Sequence, residues 1–207
     1  MKSAFITLDG PEGSGKSTQA RQLVAGLRRA GYRVTCLRDP GSTPLGRSLR
    51  RLLLHTSEPL APLTEALLFI GGRVRLVEDR ILPALRKGRV VVCDRFHDST
   101  VVYQGYGGGV PVERLDRIGR QAVGGVMPSL TLLLHVDARR GFARLRRTKD
   151  RMERKQDGFH HRVERGYLSW AKRQRRRIAV VDARRPAEEV QRELRRLVRQ
   201  RLGLRIR

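Results

Sequence analysis

Cysteine is scarce in this sequence, with only Cys36 and Cys93 among 207 residues. Two cysteines in separate apolar runs form neither a disulfide framework nor the four-ligand spacing of a structural zinc site. We expect both to be small, reduced core residues. The scarcity predicts a reducing compartment and excludes the class of disulfide-stabilised secreted domains.

Long hydrophobic runs are also missing. No stretch approaches the roughly 20 apolar residues of a membrane span, and Met1-Lys2-Ser3 leads straight into a short apolar run without the hydrophobic region of a signal peptide. These absences predict a soluble, cytoplasmic protein. Because no repeat or linker divides the 207 residues, we expect one domain over residues 1–207.

Acidic residues are few: 20 Asp and Glu stand against 45 Lys and Arg, giving a net charge of +25. Residues 138–207 hold 25 of the basic groups and 8 of the acidic ones. Arginines near residues 192–199 flank Val190, Leu194 and Leu197 at helical spacing, which favours the solvated face of an amphipathic helix. Contact with nucleic acid is the alternative, although aromatic residues are too sparse there for base stacking.

Short apolar runs alternate with helical patterns along the chain, which is typical of an α/β protein with a five-stranded parallel sheet and helices on both faces. The predicted strands are Ala4–Leu8, Arg33–Leu37, Arg89–Cys93, Leu130–Val136 and Ile178–Val181. The predicted helices include Pro44–Leu54, Leu63–Leu85, Val112–Ala122 and one beginning after Pro186. The charged stretch of about residues 139–161 contains few apolar residues and is predicted to be a mobile lid.

A phosphate-binding loop follows the first strand. Its sequence is Gly10-Pro11-Glu12-Gly13-Ser14-Gly15-Lys16-Ser17, with Thr18 continuing into a helix. Glycines let backbone N–H groups turn toward one concavity, a lysine reaches the β- and γ-phosphates, and a serine hydroxyl can ligate Mg²⁺. The spacing predicts a P-loop NTPase fold that binds ATP through residues 10–18.

Two further strings follow strands at the same predicted sheet edge, where ligands of open α/β sheets bind. Asp94-Arg95 ends the third strand, so that Asp94 could hold Mg²⁺ directly or through water and Arg95 could clamp a phosphate. Alone, the pair fits a surface ion pair equally well. The string from Arg38 to Pro44 predicts only a strand, a turn and a helix.

Together these motifs resemble the thymidylate kinases, which convert dTMP to dTDP with ATP. The most specific parts are the string Pro40-Gly41-Ser42-Thr43-Pro44-Leu45-Gly46 and the spacing of Asp94-Arg95-Phe96, Ser99 and Tyr103-Gln104-Gly105. The resemblance extends through Asp150-Arg151-Met152-Glu153 to Val181-Asp182-Ala183. It implies a nucleoside-monophosphate kinase that uses ATP and Mg²⁺ and forms a homodimer through helices such as Leu63–Leu85.

The resemblance also implies residue roles. Phe69 would stack on thymine, Arg73 would hydrogen-bond the base edge, and Arg50 and Arg95 would bind the acceptor phosphate. Ser99, Tyr103 and Gln104 would complete the pocket, with Glu12 and Asp39 nearby, and Ser17 and Asp94 would organise Mg²⁺. Without the resemblance, Phe69 fits the core and the arginines fit solvated surface groups.

The family also divides by whether its catalytic arginine lies in the phosphate loop or in the lid. Gly13 follows Glu12 here, so this chain resembles the bacterial type with a lid arginine. Arg151 is the first candidate and Arg147 the second, beside Lys16 and Arg95 as catalytic groups. Either lid arginine could stabilise charge on the transferred phosphoryl group.

Several positions depart from the family's pattern. Asp39 stands in place of Glu, Gly72 and Leu76 replace Asp and His, and Gly108 replaces Arg. These changes leave open a kinase for another nucleoside or deoxynucleoside monophosphate. A nucleic-acid-associated P-loop NTPase and a relative that binds nucleotides without transferring phosphate are further alternatives.

Overall fold

The computed structural model describes residues 3–145, 148 and 150–206. Within them, parallel strands form one five-stranded sheet with the order β2-β3-β1-β4-β5. The strands are β1 (Ala4–Asp9), β2 (Val34–Arg38), β3 (Val90–Asp94), β4 (Leu130–His135) and β5 (Ile178–Asp182). Each agrees with its predicted range to within one residue at each end. The predicted α/β class is thus confirmed.

Helices connect the strands and lie on both faces of the sheet. They are α1 (Lys16–Arg29), α2 (Pro44–His55), α3 (Pro62–Leu76), α4 (Leu82–Arg86), α5 (His97–Thr100), α6 (Val112–Ala122), α7 (Ala138–Ala143), α8 (Asp157–Arg173) and α9 (Ala187–Leu202). A π-helical segment, Val77–Ile81, joins α3 to α4, and a second one, Val101–Gly107, continues α5. The charged stretch predicted as a lid therefore contains α7 and the start of α8.

Successive side chains of β1 point to opposite faces of the sheet. Ile6 and Leu8 pack in a cluster with buried residues of α1 and α9. Phe5 points the other way and meets Phe96 edge to face, with ring centroids 5.0 Å apart. Side chains alternate faces along a strand, so one short run supplies core to both helical layers.

The helix predicted over Leu63–Leu85 is continuous but not uniformly α-helical. Its π-helical segment ends just before Pro83, which has no N–H to donate and whose ring crowds the carbonyl one turn earlier. Widening the hydrogen-bond pattern at this point accommodates the proline. The helix therefore continues past Pro83 instead of ending there.

The cysteines differ in burial. Cys93 is buried in the central strand β3, but Cys36 is exposed, so the prediction of a core residue is wrong for Cys36. It lies on β2 at the edge of the sheet, where one neighbouring strand is absent. Both thiols are free.

The C-terminal helix has the predicted amphipathic pattern. Val190, Leu194 and Leu197 are buried, whereas Arg192 and Arg196 on the opposite side are exposed. These arginines therefore lie on a solvated helix face. In the part of the chain that is described, no helix is both long and apolar enough to cross a membrane.

Candidate active site

The phosphate-binding loop lies between β1 and α1, at the carboxyl edge of the sheet. Lys16 begins α1, and its Nζ donates to the carbonyl oxygens of Gly10 and Pro11 at 2.9 and 2.6 Å and to Ser14 Oγ at 3.2 Å. The side chain is therefore folded back over its own loop, and Lys16 is only 8% exposed. Burial and the charge of Arg95 lower the pKa of Lys16 to about 8.

Gly13 lies directly against the lid. A Cβ at Gly13 would overlap the backbone of Gly141 in α7, and one at Gly141 would overlap the carbonyl of Glu12. Gly13 also has a positive φ of 66°, which other residues rarely adopt. The loop therefore has no room for an arginine at this position, which agrees with the sequence-based expectation that the arginine comes from elsewhere.

Ser17 and Asp94 meet beside the loop, as predicted. Ser17 Oγ donates to Asp94 Oδ2 at 2.6 Å, and Arg38 Nη2 donates to the same two oxygens at 2.8 and 3.0 Å. Burial alone would raise the pKa of Asp94, but Lys16 and the Ser17 hydrogen bond lower it. An ionised carboxylate next to a hydroxyl is a set of hard oxygen ligands that fits Mg²⁺.

Arg95 is the centre of a buried hydrogen-bond network. Its φ of 68° is left-handed, a conformation that costs a non-glycine residue on the order of 1 kcal/mol. Its Nη2 donates to Glu12 Oε2 at 2.8 Å and to Tyr103 Oη at 3.2 Å, and its Nη1 donates to Ser99 Oγ at 3.0 Å. The strained turn thus aims the guanidinium back across the phosphate loop.

Neighbouring positive charges keep Glu12 of this network ionised. Burial alone would raise the pKa of Glu12, but Arg95 and Lys16 lower it to about 2. Asp9 lies beneath, where its Oδ1 accepts from Ser99 Oγ at 2.6 Å and from Tyr167 Oη at 2.7 Å. Burial raises the pKa of Asp9 despite the opposing charge of Arg95.

A second polar cluster surrounds Arg73 on α3. Its Nε donates to Asp39 Oδ2 at 2.6 Å and its Nη2 to Thr100 Oγ1 at 2.8 Å, while its Nη1 has no partner within the described residues. Burial raises the pKa of Asp39, although Arg73 opposes that shift. Asp39 and Thr100 therefore fix the guanidinium, and its Nη1 is buried without a partner among the described residues.

One cavity of about 530 Å³ connects these clusters. We call the part formed by Lys16, Ser17 and Asp94 the loop end, and the part formed by Phe69, Arg73 and Gln104 the aromatic end. The sequence-predicted residues that line the cavity are Glu12, Gly13, Gly15, Lys16, Ser17, Thr18, Asp39, Arg50, Phe69, Arg73, Asp94, Arg95, Ser99, Tyr103 and Gln104. Almost every predicted binding residue outside the lid therefore surrounds one space.

Comparisons with known proteins agree with this arrangement. A family model described as thymidylate kinase matches residues 8–194. A thymidylate kinase from a Synechococcus strain is 45% identical over 200 residues, which are 97% of this chain and 96% of the relative. One from Deinococcus radiodurans is 43% identical over 192 residues, which are 92% of this chain and 93% of the relative. The chain belongs to the thymidylate kinase family.

A solved structure also resembles the whole fold. The crystal structure of thymidylate kinase from Ehrlichia chaffeensis has a TM-score of 0.79 with this chain at 32% sequence identity, covering 96% of this chain and 99% of that one. The P-loop NTPase fold predicted from the sequence is therefore confirmed. The resemblance to the thymidylate kinase family is confirmed as well.

The structure shows what surrounds two of the positions at which this chain departs from the family pattern. A Cβ at Gly108 would come within 2.8 Å of the Gln104 carbonyl and of Pro62. One at Gly72 would come within 3.0 Å of Leu49, where α2 packs against α3. A side chain at Gly108 would therefore collide with backbone, whereas one at Gly72 would require only a small shift of the Leu49 side chain.

Arg151, the first of the two lid candidates, lies away from the loop end. Arg151 does not line the cavity: its Nε donates to the Leu53 carbonyl at 2.8 Å and its Nη1 to Glu65 Oε1 at 2.8 Å. The ion pair with a fully buried carboxylate holds it away from the loop end. Arg147, the second candidate, lies outside the described residues.

The sequence analysis missed several residues of the site, among them Asp9, Arg38, Glu65, Thr100 and Tyr167. Glu65 was detectable, because it occupies a buried stripe of α3 with Ala66 and Ile70, where a charge is unusual. Arg38 begins a string that predicts a turn, but no local pattern indicates that its side chain contacts Asp94. Tyr167 reaches the site from α8, a long-range contact that one sequence does not reveal.

Proposed function

We propose that this protein transfers the γ-phosphoryl group of ATP to dTMP, giving ADP and dTDP. One observation carries the proposal: a single cavity joins a phosphate-binding loop to a pocket with an aromatic side chain and fixed polar groups. Family membership supports the same reaction. The cavity can therefore accept a polyphosphate and a nucleotide base at its two ends.

At the aromatic end, the base of the acceptor would stack on Phe69. Arg73 lines this end of the cavity, and its Nη1, which has no partner among the described residues, would donate to a carbonyl oxygen of thymine once a small shift of the side chain exposes it. Gln104 lines the same part of the cavity. These groups favour a base with a carbonyl oxygen at the edge that faces α3.

Arg50 and Arg95 would bind the acceptor phosphate between the two ends. Burial and the neighbouring charge of Arg38 lower the pKa of Arg50, which indicates an excess of positive charge that an anion would relieve. Ser99 and Tyr103 orient Arg95 through hydrogen bonds. Because the acceptor phosphate is already ionised, no protein base is required.

At the loop end, the triphosphate of ATP would be held by the backbone of residues 10–18. Lys16 would exchange its loop carbonyl partners for phosphate oxygens. An acceptor oxygen attacks the γ-phosphorus, the bond from that phosphorus to the bridging oxygen breaks, and ADP leaves. Lys16 and Arg95 would stabilise the charge that spreads over the transferred group.

Ser17 and Asp94 would hold Mg²⁺, directly or through water. When bound, the ion supplies charge neutralisation at the β- and γ-phosphates. Arg38 occupies the same two oxygen atoms here, so its guanidinium would move aside for the ion. The ionised state of Asp94 supports this assignment.

We also propose a homodimer. Leu45 and Leu52 are 45% and 44% exposed on α2, and Leu67 is 49% exposed on the adjacent helix α3. Three large apolar side chains on neighbouring helices favour contact with a second apolar surface. Light scattering on the purified protein would distinguish a dimer from a monomer, and Leu52→Glu should shift that mass toward the monomer.

A coupled assay tests the reaction. Purified protein is supplied with ATP, Mg²⁺ and, in separate reactions, dTMP, dUMP, dCMP, AMP and GMP. We expect the highest kcat/KM with dTMP. Equal rates with all acceptors, or ATP hydrolysis without an acceptor requirement, would overturn the proposal.

A further inference from the structure

Glu65 is a fully buried carboxylate that connects three distant parts of the chain. Its Oε2 accepts from Gln104 Nε2 at 2.9 Å, and its Oε1 accepts from Arg151 Nη1 at 2.8 Å. Lys155 Nζ lies 3.0 and 3.2 Å from the two oxygens. One side chain on α3 therefore contacts both the aromatic end of the cavity and the segment that leads into α8.

The contact with Gln104 determines which end of its amide faces Glu65. A carboxylate only accepts hydrogen bonds, and the amide can donate only through its nitrogen. The nitrogen must therefore face Glu65, and the carbonyl oxygen is the remaining polar atom of the Gln104 side chain. Since Gln104 lines the cavity, the group it offers a base there is an acceptor.

An acceptor at this position discriminates between pyrimidines. Thymine and uracil carry N3–H, which donates, whereas N3 of cytosine is an acceptor and would face the Gln104 oxygen unpaired. Leaving such buried polar groups unpaired is a strong source of selectivity. An amide that was free to turn over would lose this selectivity, because it could offer its nitrogen instead.

The contacts with Arg151 and Lys155 fix the other segment. Arg151 also donates through Nε to the Leu53 carbonyl and through its backbone N–H to the Leu54 carbonyl, at 2.8 and 3.0 Å. This part of the lid is thus attached to the end of α2 and to α3. The negative charge of Glu65 forms ion pairs with both Arg151 and Lys155.

We propose that Glu65 is a positioning residue with two effects: it orients the Gln104 amide so that the site selects bases with N3–H, and it holds the lid through Arg151 and Lys155. The inference rests on the proposed dTMP kinase function and concerns the same site. Arg151 is then a positioning residue as well. Base selection and lid placement depend on one carboxylate.

Glu65→Gln tests both effects, because it keeps the shape of the side chain but removes its charge and frees the Gln104 amide to turn. We expect the ratio of kcat/KM for dTMP to that for dCMP to fall by roughly 10-fold or more, together with a lower kcat for dTMP. Arg151→Met should lower kcat for dTMP but leave the ratio unchanged. Glu78→Gln, an exposed glutamate in the adjoining π-helical segment, is the matched control and should change neither quantity.

The results of these assays distinguish the two proposed effects of Glu65 from a merely structural role. An unchanged dTMP to dCMP ratio in a folded Glu65→Gln protein would overturn the base-selection effect, and an unchanged kcat in Arg151→Met would overturn the lid effect. A lower melting temperature with no change in the ratio would indicate a merely structural role. If Glu65→Gln does not fold, Glu65→Asp is the second variant: it draws the carboxylate back by roughly 1.5 Å, so that the 2.9 Å contact with Gln104 is lost and the amide is again free to turn. A wild-type protein without dTMP kinase activity would instead contradict the proposed function.

Discussion

The two ends of the cavity use their polar groups differently. At the loop end, the groups expected to meet ATP and Mg²⁺ are bonded to each other: Lys16 binds its own loop, and Arg38 binds Ser17 and Asp94. At the aromatic end, Arg73 is fixed by Asp39 and Thr100 but keeps one nitrogen without a partner in the described part of the chain. Binding of ATP and Mg²⁺ at the loop end would therefore break internal contacts, whereas Arg73 at the aromatic end would keep its contacts with Asp39 and Thr100.

The difference follows from charge. The loop end concentrates cations around a site meant for a polyphosphate, and these cations pair with carbonyl, hydroxyl and carboxylate oxygens of the protein. At the aromatic end, which would bind a neutral base, Arg73 and Asp39 form an ion pair in which their charges cancel. A preorganised pocket loses less free energy on binding than one that must first break internal contacts.

Removing the lysine of the loop end should have the largest effect. Lys16→Ala should lower kcat by roughly 100-fold or more, because the variant loses a cation at the transferred phosphoryl group. It should also lower the free energy of unfolding by about 1 kcal/mol, since the buried amine donates to three oxygen atoms. Steady-state kinetics and urea unfolding measure the two effects. Lys87→Ala, at an exposed lysine, is the control, and full activity in Lys16→Ala would show that the loop is not the ATP site.

Changing the fixed guanidinium of the aromatic end should act mainly on binding. Arg73→Lys keeps the charge but cannot contact Asp39 and Thr100 and still donate to a ligand, so the KM for dTMP should rise by about 10-fold with a smaller change in kcat. Arg75→Lys, an exposed position on the same helix, should leave both constants unchanged. A loss confined to kcat would mean that Arg73 acts in the transition state and not in base binding.

Crowding the contact between the loop and the lid should have an intermediate effect. Gly141→Ala places a methyl group against the Glu12 carbonyl, so we expect a higher KM for ATP and a loss of about 1–3 kcal/mol in unfolding free energy. Gly71→Ala is the matched control: it lies in α3 with open space around the new Cβ and should be neutral or stabilising by up to about 1 kcal/mol. Equal effects at both glycines would contradict the close approach of α7 to the loop.

The sequence predicted the loop end better than the aromatic end. The loop, Lys16, Ser17 and Asp94 form local motifs whose spacing is dictated by phosphate chemistry, and the strands that carry them follow from apolar runs. The contacts of the aromatic end depend on long-range packing: Arg73 pairs with Asp39, 34 residues away, and Glu65 meets Arg151, 86 residues away. The role of Arg151 was predicted from a motif alone, and its partner Glu65 could not be inferred from spacing.

A dependence on pH also separates the two ends by charge. Burial lowers the pKa of Lys16 to about 8 in the folded protein from its ordinary value of 10.5, so the folded state binds fewer protons than the unfolded state between these values. The contribution of Lys16 to stability should therefore rise with pH from about 8 to about 10.5, while its attraction for ATP declines over the same range. Urea unfolding of wild type and Lys16→Met across this range isolates the first effect, and calorimetric titration with ATP measures the second. A stability difference between the two proteins that stays flat or falls over this range would mean that Lys16 keeps its proton inside its loop.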